Sequence, residues 1–181
     1  MTHARLRGAA GLTTIETTTE IDAPPPAVWE ILARPDGLAE WDDGLVRIGG
    51  ISGRRDVAGA SWWELRRLGR LPIWARWRVV AVEPGHRLDC LARMPPGGLA
   101  TLTEIVEPRD GGTTTRHMRA TYRLPLWGLG RWLERRLVGS QIVEGAERSG
   151  RNLKRLAELN GRAADPPSPE PRAPHEPPAA T

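Results

Sequence analysis

The sequence contains no phenylalanine, one tyrosine (Tyr122), one lysine (Lys154) and one cysteine (Cys90). A lone cysteine excludes a disulfide framework and any cysteine-built zinc site. Long apolar runs are missing too. The purest interior one is Val79-Val80-Ala81-Val82, far short of the ~18 residues that mark a membrane-spanning helix. The first twelve residues lack an apolar h-region, so no signal peptide is expected and the expected address is the cytoplasm. No histidine pair has metal-ligand spacing, and neither a metal nor another cofactor is expected. A phosphate cradle is lacking as well: Gly49-Gly50-Ile51-Ser52-Gly53 has no P-loop lysine.

What is present is lopsided. The 181 residues carry a net charge of +4, from 26 Lys+Arg against 22 Asp+Glu, and eight tryptophans. This length suits one domain plus tails and can bury a sizeable core. The arginines run from Arg5 to Arg172, mostly alternating with apolar residues. A nucleic-acid footprint would gather them on one stripe within a recognisable motif, so no nucleic-acid partner is expected.

Composition divides the chain in three. Residues 1–12 are expected to be flexible. Residues 161–181, rich in proline and poor in apolar residues, are expected to form a disordered tail. The domain lies between, at 13–160, and holds no internal repeat.

Within it, Ile15, Thr17, Thr19 and Ile21 alternate with Glu16, Thr18, Glu20 and Asp22, the pattern of a half-buried strand. Ala23-Pro24-Pro25-Pro26 opens a helix whose apolar face is Val28, Trp29, Ile31 and Leu32. A second helical turn reaches Trp41. Six strands follow, at about 44–49, 58–68, 73–83, 87–94, 100–107 and 114–124, with Gly/Pro turns between them. From 127 to 160, apolar residues recur at three- and four-residue spacing as in one long helix. Gly139, Ala146 and Gly150 would let it lie close to a sheet, and a bend or break is expected near 139–145.

The expected fold class is α+β, a curved antiparallel sheet of about seven strands wrapped around a long C-terminal helix. The phrase from Ile21 to Leu32, followed by Leu38-Ala39-Glu40-Trp41, resembles the opening of the START/Bet v 1-like (SRPBCC) superfamily. Its bacterial polyketide cyclase/dehydrase and lipid-transport group is the nearest likeness. The segments 79–88, 107–113 and 150–156 resemble that group's later turns and the end of its last helix. The resemblance spans residues 13–160. It implies a helix-grip fold whose cavity takes a small hydrophobic ligand such as a lipid, polyketide or quinone. Some members cyclise or dehydrate a bound polyketide, and others only carry the ligand.

Strand parity nominates the wall. Leu88, Cys90 and Ala92 should face inward, as should Arg116, Met118, Ala120 and Tyr122. Ala75, Trp77, Val79 and Ala81 form the cleaner inner face of their strand. For 58–68, the sets Trp63/Leu65 and Trp62/Glu64 cannot be ranked by parity. The ligand-binding candidates are Trp63, Trp77, Val79, Leu88, Cys90, Met118, Tyr122, Leu133 and Leu137. Cys90 reads as a small buried hydrophobe.

If Leu102 and Val106 face inward, Glu104 goes with them. An unpartnered buried carboxylate would act as a general acid or base. Tyr122 would then polarise a carbonyl, and Arg116 would neutralise Glu104 or hold an anionic head group. The competing reading pairs Glu104 with an arginine or turns it to solvent, and makes Tyr122 a cavity wall with a satisfied hydroxyl. Asp42, Asp43, Glu64 and Glu83 read as solvated charges. Arg131, Arg135 and Arg136 beside Trp132 read as the wet face of the long helix, with a peripheral membrane contact as the rival. Three functions compete: carrier of an apolar ligand, polyketide cyclase/dehydratase using Tyr122, Glu104 and Arg116, and protein-interaction module.

Overall fold

The computed structural model describes residues 1–9, 12–68, 71–123 and 131–164, with side chains described at 1–8, 12–67, 72–123 and 141–162. Eight strands form one antiparallel sheet. In chain order they are β1 (Thr2–Ala9), β2 (Leu12–Ile21), β3 (Leu45–Gly49), β4 (Ser61–Leu68), β5 (Leu71–Glu83), β6 (Arg87–Met94), β7 (Gly98–Arg109) and β8 (Thr113–Arg123). Their spatial order is β1-β2-β8-β7-β6-β5-β4-β3. Two short helices, α1 (Pro25–Ala33) and α2 (Leu38–Trp41), follow β2, and α3 (Arg131–Ala164) closes the fold. The antiparallel sheet with its long last helix is the helix-grip architecture expected.

The inner face of β2 is as read: Ile15, Thr17, Thr19 and Ile21 are buried. α1 starts at proline, where no amide partner is needed, and buries Val28, Trp29, Ile31, Leu32 and Ala33. α3 packs on β1, β2, α1 and α2. Its approach depends on Gly150, where a Cβ would lie 2.9 Å from Thr19 Oγ1 and from Thr2 Cγ2. Among the described residues, no helix is long and apolar enough to cross a membrane.

Four expectations need correction. Residues 1–12 are not simply loose: Thr2–Ala9 pairs with β2 from Thr2↔Thr19 to Ala9↔Leu12, giving an eighth strand. α3 is one continuous helix that runs to Ala164, so the break near 139–145 is missing and the helix extends past 160. Residues 165–181 lie outside the described residues.

The third correction lies in β5, whose pairing shifts from Val79↔Cys90 to Ala81↔Asp89. The extra residue is Val80. It inverts the parity beyond it, so Ala81 is exposed and Val82 packs on the core instead. The fourth concerns β4, where Trp62 and Glu64 are buried and Trp63 lies on the opposite face. There Trp63 meets Trp74 at 5.2 Å between ring centroids, and its indole lies so close to Gly49 and Gly50 that a Cβ on either would collide with it.

Candidate functional site

The inner face of the sheet, α2 and the middle of α3 line a cavity of about 160 Å³. Strand alternation places its lining: Trp62 and Glu64 from β4, Ala75 and Trp77 from β5, Leu102 and Glu104 from β7, and Met118 and Tyr122 from β8. Trp62 and Trp77 are paired in the β4–β5 ladder, and their rings stack at 6.2 Å and 13°.

Glu104 and Arg116 both lie in this wall. Glu104 stands opposite Met118 and Arg116 opposite Val106, so the two are diagonal neighbours on one face. Arg116 Nε donates to Oε2 at 2.8 Å and Nη2 to Oε1 at 2.7 Å. Each side chain is 2% exposed. The guanidinium also lies 5.4 Å from the Trp41 ring centroid. Of the two readings of Glu104, the geometry is that of the carboxylate paired with arginine.

A second ionic group enters from β4. Arg66 reaches the half-buried Asp42 with Nη2 and Glu64 with Nε, the latter at 2.7 Å. Trp62 Nε1 donates to the other Glu64 oxygen at 3.4 Å. Glu64 is therefore not a solvated charge; its parity with Trp62 carries it inward. Burial pulls the Arg66 guanidinium towards neutrality, but Asp42 and Glu64 outweigh it and hold its pKa above the ordinary arginine value.

Arg55, in the loop between β3 and β4, is 1% exposed and also lines the cavity. Its amide donates to Ala33 O at 2.8 Å and its Nη1 to Leu32 O at 3.0 Å, so the last turn of α1 anchors it. The guanidinium sits 5.3 Å from the Trp62 ring centroid. No sequence signal singles it out, because a loop has no periodicity from which to read a facing.

The nominated residues divide. Glu104, Arg116, Trp77, Met118 and Tyr122 line the cavity. Val79, Leu88 and Cys90 are buried in the core on the same face of the sheet but outside the cavity's lining. Trp63 is on the far face of the sheet. Leu133 and Leu137 lie on α3 where side chains are outside the described residues. Burial pushes the Cys90 thiol up to about 11, against the smaller opposing pull of Arg55. A thiol so seldom ionised is no nucleophile near neutral pH. Among the described residues, no group of three His, Cys, Asp or Glu is placed to hold a metal.

A family model described as polyketide cyclase / dehydrase and lipid transport matches residues 13–158. No curated protein matches the chain. Solved structures of similar fold include the protein TTHA0849 from Thermus thermophilus, at 18% identity and TM-score 0.62, covering 81% of this chain and 98% of that one. A protein from Rhodobacter sphaeroides matches at 21% identity and TM-score 0.58, covering 90% and 100%. CalU16 from Micromonospora echinospora matches at 16% and 0.52, covering 90% and 95%. At such identities the likeness is one of fold alone.

Proposed function

Because the chain belongs to the polyketide cyclase/dehydrase and lipid-transport family, we propose that it binds a small apolar ligand between its sheet and α3, as a carrier or sequestering protein. Lipids, polyketides and quinones are the candidate classes. One observation carries this reading. The wall is rich in Trp, Met and aliphatic side chains, while the carboxylates among its described residues, Asp42, Glu64 and Glu104, are already ion-paired. Apolar wall area rewards an apolar ligand at roughly 25 cal/mol per Å² removed from water. A general acid or base must instead exchange its proton with the substrate. Glu104, held through both oxygens by Arg116, is poorly prepared for that exchange, which favours carriage over cyclisation.

The test is titration of intrinsic tryptophan fluorescence in the full chain with fatty acids, sterols, quinones and aromatic polyketides. Saturable quenching or a blue shift with at least one class supports the reading. A flat response to all of them overturns it.

A further inference from the structure

We propose that the ligand is an organic carboxylate, an apolar body whose single negative charge is received by Arg55 inside the cavity. The inference rests on the ligand-binding reading above and names the chemistry of the ligand's polar end.

The placement of charge in the wall points to it. Glu104 is matched by Arg116, while Asp42 and Glu64 share Arg66, a group that carries one negative charge in excess. Arg67 borders the cavity but is exposed to solvent. Arg55 is the buried guanidinium left over: it is 1% exposed, and no carboxylate among the described residues lies within ion-pairing distance. A buried guanidinium without a counter-charge is unfavourable unless something completes it. The carbonyl of Leu32 takes Nη1, the Cys90 thiol lies against the guanidinium, and Nε has no hydrogen-bond partner among the described residues.

Arg66 Nε and Glu64 Oε1 lack a hydrogen bond but face each other as an ion pair at 2.7 Å; the other unpartnered buried side-chain atoms among the described lining residues are donors. Besides Arg55 Nε, the indole N–H groups of Trp41 and Trp77 are buried without partners, and both residues line the same cavity. Indole and guanidinium groups donate and do not accept. The guest these donors call for is rich in acceptors, which disfavours an alkylamine or a pure hydrocarbon beside Arg55. A carboxylate supplies one charge and several acceptor sites in the plane that a guanidinium recognises. A phosphate dianion would need a second free cation inside, and Arg66 and Arg116 are already neutralised. Arg55 is held from behind by α1 and stacked on Trp62, so it is positioned before a ligand arrives.

The experiment compares decanoate, decanol and decylamine, which share one chain length, by tryptophan fluorescence titration of the full chain. Decanoate is expected to bind about tenfold or more tighter than decanol, with decylamine weakest. In Arg55→Gln the ratio of decanoate to decanol affinity should fall to about one; in Arg93→Gln, which removes an exposed charge, the ratio should stay that of the unaltered protein. Equal affinity for decanoate and decanol in the unaltered protein overturns this inference and leaves the binding reading standing. Failure of all three probes to bind overturns this inference, and the binding reading falls with it only where sterols, quinones and aromatic polyketides give a flat response as well. A decanoate preference that survives in Arg55→Gln overturns the assignment to Arg55. Should that variant not fold, the carboxyl carbon resonance of 13C-labelled decanoate bound to the unaltered protein gives the same information. Held by Arg55, it stays ionised well below its free titration midpoint; a midpoint unchanged from water overturns the inference.

Discussion

Arg116 grips both oxygens of Glu104 at 2.7 and 2.8 Å across the β7–β8 ladder, with each side chain only 2% exposed. Removing one partner strands a buried charge, which typically costs ~3–5 kcal/mol, whereas replacing both with apolar groups is often neutral or stabilising. Urea denaturation should therefore find Arg116→Met far less stable than Arg116→Met combined with Glu104→Leu. A double variant as unstable as the single one would show that the pair does more than cancel its own charge.

Two glycines of α3 should respond oppositely. Among the described residues, an added Cβ at Gly145 would meet nothing nearer than the flexible end of Arg148 at 3.9 Å. Gly145→Ala should raise stability by about 0.5–1 kcal/mol through helix propensity. Gly150→Val would drive a side chain into Thr2 and Thr19, lowering stability by ~1–3 kcal/mol. Thermal melts of the two variants decide the matter, and a neutral Gly150→Val would mean that α3 packs on β1 and β2 less closely than described.

Tryptophans on the two faces of the sheet should separate binding from scaffolding. Trp77→Leu removes part of the cavity wall and should weaken apolar-ligand binding severalfold or more. Trp63→Leu, altering the far face, should leave affinity within about twofold, since residues remote from a site act nearly independently of it. Isothermal titration with whichever ligand the fluorescence screen identifies measures both. Equal losses in the two variants would contradict the assignment of faces.

Cys90 predicts a pH dependence with a definite sign. Its thiol titrates near 11 when folded, against 9.0 for an unperturbed thiol. Between those values the unfolded chain has lost the proton and the folded one keeps it, so stability falls as pH rises through that window. The loss is of order 2–3 kcal/mol by pH 11. Cys90→Ala should show a flatter decline over the same range in urea midpoints. If the decline is as steep without the thiol, other groups carry it.

Much of this is legible in the sequence because burial on one face writes itself as alternation. β2, β6 and β8 each carry one alternating set that is the more apolar of its two, and those sets are the ones turned inward, with Thr17, Thr19 and Arg116 among them. Glu104 follows from the same rule, through its place between Leu102 and Val106. The failures have physical causes as well. Trp62 and Glu64 oppose Trp63 and Leu65, so both faces of β4 offer a large apolar residue. Val80 is apolar like its neighbours, and nothing marks it as the residue that breaks the register of β5. β1 is held by its backbone ladder to β2 more than by its side chains, most of them exposed, and a pattern of hydrophobicity cannot report a hydrogen-bonded ladder. Arg55 escapes a reading by pattern because its position depends on carbonyls at the end of α1, a partner distant in sequence.

The order of the strands leaves β1 and β3 as the two margins of the sheet, where unpaired backbone invites a foreign strand. Neither margin is an inviting template. β3 has five residues, a register irregularity between Leu45 and Arg47, and a charge at Arg47. β1 carries exposed Arg5 and Arg7, and its Ala4 amide is taken by Glu147 of α3 at 3.3 Å. On such borders the arginines need no ligand or nucleic acid to justify them: there, they discourage one molecule from being sewn onto the next.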